Sequence, residues 1–229
     1  MSDAKPPSER TRLKRRPHRG HHDEATIFAI LDAGLIAHVA MTIDGEPLVI
    51  PTAYWREGRR LYWHGSAAGR LATQAGKPVC VSVSHLDALA VGRSGIAHSV
   101  LYRSVIAFGT VALTTDLAAK RQAMARFIDR LYPGRAATIR PPLDAELQAI
   151  TVASIALDEA SAKIKDEGVN EVRAEDFAVP AWAGIIPLRM TVGTPQRDMR
   201  GDATAPFPDH LDAYRPGAVL DAVLARSSG

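Results

Sequence analysis

The chain has 229 residues, of which 46% are hydrophobic and 23% charged, a balance typical of a soluble domain with a sizeable core. No apolar run is long enough to cross a bilayer and the N-terminus is polar, so we expect neither a membrane span nor a signal peptide. The single cysteine, Cys80, excludes an internal disulfide, which suits a cytoplasmic protein, and its apolar neighbours predict a core residue rather than a nucleophile.

Positive charge is concentrated at the N-terminus. Residues 1–22 carry seven Lys or Arg and two acidic residues, whereas the whole chain has a formal net charge of only +3. We expect residues 1–14 to form a flexible basic arm, with contact to nucleic acid as a less favoured alternative. Three nearby histidines, His18, His21 and His22, lack the cysteine or carboxylate partners of a zinc site, so no metal is expected there.

The first predicted elements are a helix and a three-stranded meander. Asp23 is expected to cap a helix over residues 26–32 that ends before Gly34. The next segments alternate with the period of two that strands have: residues 35–42, 46–55 and 60–64. Asp44-Gly45 predicts a tight turn between the first two strands. Pro51 lies inside the second strand and cannot donate to a ladder, so it should mark a bulge or an edge whose backbone polar groups are free for another partner.

The stretch after the third strand predicts an anion site. Gly65 ends the strand, Ser66 is a good N-cap, and residues 67–74 are predicted as a short helix. Arg70 would lie on the same helix face as Ser66. Amides of a first helical turn together with a guanidinium suit a phosphate group. A plain strand-to-helix corner without a ligand is the alternative.

The remaining elements are mostly strands. They are predicted at residues 79–85, 89–91, 101–113, 150–157 and 182–192. One amphipathic helix is predicted from Thr115 or Asp116 to about Tyr132. The tail after Pro195 is predicted to be a loose wrap, so the expected organisation is an arm over 1–14, a domain over 15–195 and a tail over 196–229.

These elements predict a mainly β (α+β) fold. Strands joined by hairpins, with helices at a few corners, favour an antiparallel barrel with flanking helices. A doubly wound parallel sheet is the weaker alternative, because strands and helices do not alternate regularly.

Three blocks of sequence, spanning roughly residues 15–195, match a known pattern. They are Arg19-Gly20, Asp23 and Ala29-Ile30-Leu31-Asp32; then Val49-Ile50-Pro51-Thr52, Tyr54, His64-Gly65-Ser66 and Arg70; then His98-Ser99, Tyr102-Arg103-Ser104-Val105 and Phe108-Gly109. In these blocks the chain resembles the FMN-binding split barrels related to pyridoxamine 5′-phosphate oxidase, in the branch that includes nitroimidazole-resistance-like flavoproteins. The resemblance implies a six-stranded antiparallel split β-barrel that forms a homodimer with flavin at the interface.

The resemblance also implies roles for individual residues. One group, Val49, Ile50, Pro51 and Thr52, would line the isoalloxazine ring. A second group would hold the ribityl phosphate: His64, Gly65, Ser66 and Arg70. Arg103 and Ser104, from the same or the partner subunit, would reach the phosphate or the ribityl chain.

Two departures from the pattern bear on the substrate. The Arg-rich C-terminal motif of the true oxidases is absent, and Val49 and Thr52 replace basic residues of those enzymes. We therefore do not expect a B6 vitamer as substrate. The favoured hypothesis is an FMN-dependent oxidoreductase acting on a small organic molecule. His98 is the one titratable residue nominated as a proton donor, and a structural histidine is the favoured interpretation of it. The alternatives are a flavin carrier or sensor without turnover, FAD in place of FMN, and a haem-binding split barrel.

Overall fold

The computed structural model describes residues 4–201 and 204–225. Within them the strands are β1 Gly20–His21, β2 Ile36–Ile43, β3 Glu46–Glu57, β4 Arg60–Ser66, β5 Pro78–Val91, β6 Ser99–Thr110, β7 Ala112–Thr114, β8 Ile150–Ala156, β9 Glu159–Lys165 and β10 Gly184–Pro187. The α-helices are α1 Glu24–Asp32, α2 Leu117–Leu131, α3 Asp144–Gln148 and α4 Leu220–Ala225. None of the helices in this part of the chain has the length and apolar character needed to span a membrane.

The strands form one antiparallel system in the order β1-β9-β6-β5-β2-β3-β4-β8-β7, with β10 paired to β5. The long strand β3 belongs to two ladders, because its first part pairs with β2 and its last four residues pair with β4. The system therefore divides at β3 into two sheets that enclose a common core. This split antiparallel arrangement with flanking helices confirms the predicted fold class, although the described strands outnumber the six expected.

The core lies inside the barrel, where one face of each strand carries apolar residues. Its members come from α1 and from every long strand, and they include Ile27, Leu31, Val39, Tyr54, Leu61, Trp63, Val81, Val83, Val105 and Ile155. A smaller cluster on the outer face of β4 and β8 packs α2 against Trp55 and Val152.

The first hairpin matches its prediction. Asp44 and Gly45 both have positive φ, 53° and 83°, as a two-residue turn between right-twisted strands requires. The register between β2 and β3 runs without interruption through the pair His38 and Pro51. Pro51 therefore marks an open strand edge, and no bulge is formed.

The largest difference from the sequence prediction is β9, which pairs with β6 and β1. Its inward residues Ala160 and Ala162 are small, and its outward residues include Glu159 and Lys163, so the segment lacks the β-branched alternation that indicates a strand. Two predicted strands merge into β5 with a register shift between Leu86 and Ala88. The predicted 101–113 strand instead divides into β6 and β7, and the predicted 182–192 strand shortens to β10.

Both terminal segments pack against the barrel over much of their length. Thr11 is only 1% exposed, and Arg10 forms an ion pair with Glu159 while its guanidinium stacks on Phe108. The arm is thus packed at Arg10 and Thr11, unlike the flexible segment expected for residues 1–14, of which residues 1–3 lie outside the described residues. At the other end, Leu224 of α4 is fully buried, and Arg130 donates to its carbonyl over 2.9 Å. This differs from the loose tail that the sequence predicts.

Candidate functional site

The site predicted from sequence lies where the two sheets part. The β3–β4 ladder extends only from Glu57–Arg60 to Tyr54–Trp63. Beyond that point β3 pairs only with β2, and the end of β4 pairs only with β8. An opening therefore lies between the free edge of β3 and the last residues of β4.

Strand geometry shows which backbone groups face this opening. The Tyr54 amide donates to the Leu35 carbonyl over 3.3 Å, on the β2 side of β3. Amide and carbonyl directions alternate along an antiparallel strand, so those of Val49, Pro51 and Ala53 point to the open edge. Pro51 occupies a position where its missing N–H interrupts no ladder bond. The edge therefore offers the amides of Val49 and Ala53 and the carbonyls of Val49 and Pro51.

The four ring-lining candidates divide between two faces of β3. Val49 is 57% exposed and Pro51 is also exposed, both on the outer face. Ile50 packs against the barrel core, and Thr52 is half-buried on the inner face with its hydroxyl donating to the Ala53 carbonyl over 3.3 Å. The sequence did not indicate Ala53 as a site residue. Its place at the open edge of β3 follows only from the pairing of β3 with β2.

The corner after β4 is a turn followed by a 3₁₀ helix over Arg70–Gln74, so the predicted helix start at residue 67 is wrong. The Ala67 amide still donates to the carbonyl of Ala149, the residue just before β8, which continues the direction of the β4–β8 ladder. The Gly69 amide then closes a turn onto the Ser66 carbonyl over 2.9 Å, and Gly69 becomes the cap. The Ser66 hydroxyl accepts the Ala68 amide over 3.3 Å, a local turn bond.

Arg70 is the cation of this corner. Its side chain is exposed and makes no ion pair or hydrogen bond within the described residues. Its carbonyl accepts the Thr73 hydroxyl over 2.8 Å, which fixes the turn that carries it. Gln74 beneath it is fully buried, and its Oε1 atom has no hydrogen-bond partner. The Arg70 guanidinium is therefore free to bind an external anion.

His64 lies on the outer face of β4, under α2. Its ring packs edge-on against Phe127, with centroids 5.0 Å apart, and lies 6.4 Å from the Trp55 ring. Its Nδ1 atom is buried without a partner, and burial lowers the pKa of the imidazole below its usual value. The ring is consequently neutral at pH 7, which suits a hydrogen-bond donor or a metal ligand better than a cationic phosphate contact.

The two remaining candidates are neighbours on β6 with opposite orientations. Arg103 is ion-paired with Asp87 and Asp221, at 3.1 and 2.7 Å. Ser104 points to the outer face, because its ladder partner Ser84 lies on that face. Within one subunit neither residue is brought to the corner formed by Ser66 and Arg70.

Two other titratable groups have defined surroundings. His98 is exposed, and its Nδ1 atom lies 3.0 Å from the Ser94 carbonyl, which leaves Nε2 toward solvent. Cys80 is half-buried on β5, and burial raises the pKa of its thiol. A raised pKa disfavours the thiolate, so Cys80 is a poor nucleophile. No group of three or more His, Cys, Asp or Glu side chains in the described residues is placed to hold a metal ion.

Residues 23–164 match the family model described as pyridoxamine 5′-phosphate oxidase. None of the curated protein sequences compared with the chain matches it significantly.

Solved structures extend the match beyond the family model. The chain is 40% identical to the flavocytochrome Anf3 from Azotobacter vinelandii, with a TM-score of 0.87 over 93% of this chain and 100% of that one. It is 31% identical to the FAD and haem binding protein from Mycobacterium smegmatis, with a TM-score of 0.82 over 88% and 99%. A 5-nitroimidazole antibiotic resistance protein structure from Bacteroides thetaiotaomicron shares the fold at 22% identity and a TM-score of 0.51, over 63% of this chain and 86% of that one.

Proposed function

Because the chain belongs to the pyridoxamine 5′-phosphate oxidase family, we propose that it is a cytoplasmic flavin-binding oxidoreductase that holds its cofactor at the split between β3 and β4. The observation that carries the proposal is the free edge of β3 beside an unpaired, exposed Arg70. FMN is the flavin that the sequence resemblance implies, whereas the Mycobacterium smegmatis relative binds FAD and haem.

The edge of β3 suits the ring of a flavin. The pyrimidine edge of that ring alternates hydrogen-bond donors and acceptors, and so do the backbone groups of Val49, Pro51 and Ala53. Backbone donors toward this edge would stabilise negative charge on the reduced ring and raise its potential. The exposed side chains of Val49 and Pro51 add an apolar surface for the ring face.

The corner after β4 suits the ribityl phosphate. The Arg70 guanidinium offers a planar set of donors to phosphate oxygens, and nothing in the described residues competes for it. Ser66, with an exposed side chain, lies at the start of the same turn. The binding energy therefore comes from Arg70 and the turn, with no contribution from a long helix dipole.

A bound flavin supplies hydride and single-electron chemistry, and the protein contributes binding, orientation and local charge. No Ser, His and Asp arrangement or carboxylate pair stands out in the described residues as a conventional acid or base. We infer that a small organic substrate is held over the flavin by the residues that surround the opening. Turnover of such a substrate would distinguish an enzyme from a flavin carrier.

The outer face of the sheet supports a homodimer. Four exposed apolar side chains, Ile36, Val49, Leu86 and Ile106, share this face on β2, β3, β5 and β6. A second subunit would cover them and would bring its Ser104 toward the open edge. Sedimentation velocity should give a dimer, and Leu86→Glu together with Ile106→Glu should give a folded monomer; a monomeric parent protein would refute this part of the proposal.

A second candidate function is haem binding, and one observation specifically favours it. The imidazole of His64 is neutral and has a buried Nδ1 atom without a partner, which are properties of an axial ligand. Two relatives above 30% identity are a flavocytochrome and a FAD and haem binding protein. A Soret band in the parent protein that is lost in His64→Phe would support this candidate.

Reconstitution tests the flavin proposal. The purified full-length chain is incubated with FMN, FAD or riboflavin, and bound flavin is measured by fluorescence quenching and by analysis of the released nucleotide. We expect stoichiometric binding of a phosphorylated flavin and reduction of that flavin by NADH or NADPH. Failure to bind any flavin would refute the proposal, and binding without reduction or substrate turnover would favour a carrier.

A further inference from the structure

A basic pocket lies beside β9, at the edge of the sheet opposite to the open edge of β3. It has a volume of about 260 Å³ and lies between the N-terminal arm and β9. Five basic residues line it, together with an isoleucine: Arg15, Arg16, Arg19, Lys163, Lys165 and Ile96.

The positive charge in this pocket is largely uncompensated. Arg19 is neutralised by Glu167, to which its Nε donates over 2.8 Å. Arg15, Arg16, Lys163 and Lys165 have no carboxylate partner within the described residues. Four like charges around one small cavity repel each other, and a multiply charged anion would relieve that repulsion.

The pocket is built by packing of the arm and is not a chance meeting of surface side chains. Buried Thr11 and the Arg10–Glu159 ion pair anchor the arm against β9 just before Arg15. Arg16 adopts the left-handed conformation, φ 58°, which turns the chain into the 3₁₀ helix over Pro17–Arg19. This turn returns the chain to β9, where Gly20 pairs with Lys163.

Size and composition define the class of ligand. A cavity of about 260 Å³ is smaller than the usual pocket for a whole drug-sized ligand, so it suits a phosphate group better than a complete nucleotide. Four cations match the charge of a diphosphate more closely than that of a carboxylate or a single phosphate ester. Ile96, 82% exposed at the rim, offers an apolar surface for the rest of a ligand.

The pocket is separate from the opening at β3 within one subunit. Three strands, β6, β5 and β2, lie between β9 and β3. Neighbouring strands are about 4.8 Å apart, so the two sites are roughly 20 Å apart along the sheet. We propose that this pocket binds the diphosphate group of a nucleotide, independently of whether the flavin proposal holds.

Calorimetric titration of the full-length protein with defined probes tests this site. The probes are pyrophosphate, ADP, AMP and adenosine, each at low and at high salt. We expect pyrophosphate and ADP to bind, AMP to bind more weakly, and adenosine not to bind, with affinity falling as salt rises. Arg15→Gln combined with Lys163→Gln should weaken ADP binding about tenfold or more, because it removes charge-assisted contacts from both walls.

Controls separate the pocket from general charge and from the flavin opening. Arg197→Gln removes an exposed arginine that has no ion pair in the described residues and should leave ADP binding unchanged. Circular dichroism verifies that each variant is folded. Prior saturation with FMN should not affect ADP binding, whereas competition by FAD would identify the source of the diphosphate as the flavin nucleotide itself.

Several results would overturn the proposal. They are absence of pyrophosphate and ADP binding, equal loss in the Arg197 control, and displacement of ADP by FMN. Binding of a single-stranded oligonucleotide that pyrophosphate cannot displace would instead assign the basic arm to nucleic acid.

Discussion

Replacement of Arg70 by alanine separates the phosphate contact from the ring contact. Arg70 is exposed, carries the only unpaired guanidinium assigned to the corner after β4, and faces no carboxylate within the described residues. If it binds the flavin phosphate, Arg70→Ala should weaken FMN binding and leave riboflavin binding unchanged, because riboflavin has no phosphate.

The size of the effect follows from the exposure of the side chain. A hydrogen bond to a charged group contributes about 1.5–3 kcal/mol, and solvent screening places an exposed guanidinium at the low end. We therefore expect the dissociation constant for FMN to rise about tenfold. Folding stability should change little, since the side chain has no internal partner.

The assay measures quenching of flavin fluorescence for FMN and riboflavin with the parent protein, Arg70→Ala and Arg197→Ala. The ratio of the two flavin affinities is the informative quantity, because it cancels any general loss of active protein. An unchanged ratio in Arg70→Ala, or an equal loss for both flavins, would refute the assignment of the phosphate to this corner.

Three further predictions concern stability. Asp32→Ala should lower the free energy of unfolding by about 3 kcal/mol in urea denaturation, because it leaves the guanidinium of Arg56 largely buried and unpaired; a loss below about 1 kcal/mol would contradict this. The hydrogen bond from Arg19 lowers the pKa of Glu167 from its ordinary 4.5 to about 2, so its contribution is complete above pH 4.5 and disappears as the pH falls toward 2. Glu167→Gln should therefore make the unfolding midpoint less sensitive to acid only between about pH 4.5 and pH 2. If the unfolding midpoint of this variant depends on pH as it does in the parent protein, the ion pair is contradicted. Asp44→Ala should lower the free energy of unfolding by up to about 1 kcal/mol, because alanine tolerates the positive φ less well than aspartate does, and an unchanged thermal midpoint would contradict this.

Local patterns predicted the first half of the barrel well. The turn at Asp44-Gly45 and the alternation on either side of it specify a hairpin without help from the rest of the chain. Pro51 indicated an open edge for a reason that depends only on its missing N–H. These features depend on near neighbours in sequence, and therefore a single sequence reveals them.

Features that depend on distant partners were not predictable in the same way. Nothing near Glu159–Lys165 indicates a strand, because small and charged residues become strand residues there by pairing with β6. The direction of His64 toward α2 also depends on Phe127, sixty-three positions away in the chain. Arg103 pairs with Asp221 because the C-terminal segment packs back against the barrel. No local sequence pattern predicts that packing.

The candidate site shows the same division. The strand ends and the chain turns between Ser66 and Arg70 as predicted, but the helix was predicted three residues too early because Ser66 resembles an N-cap. The ladder bond from Ala67 to Ala149 prevents that helix from starting, and Ala149 is far away in sequence. Arg70 would be exposed whether the helix began at residue 67 or at residue 70, so its exposure does not distinguish the two starts.

The most direct test of the central claim is the visible absorption spectrum of the full-length protein after reconstitution with FMN and removal of free flavin. We predict flavin bands that persist through gel filtration and one flavin recovered per chain, with bound FMN diminished in Arg70→Ala. A colourless protein that retains no flavin would contradict the account.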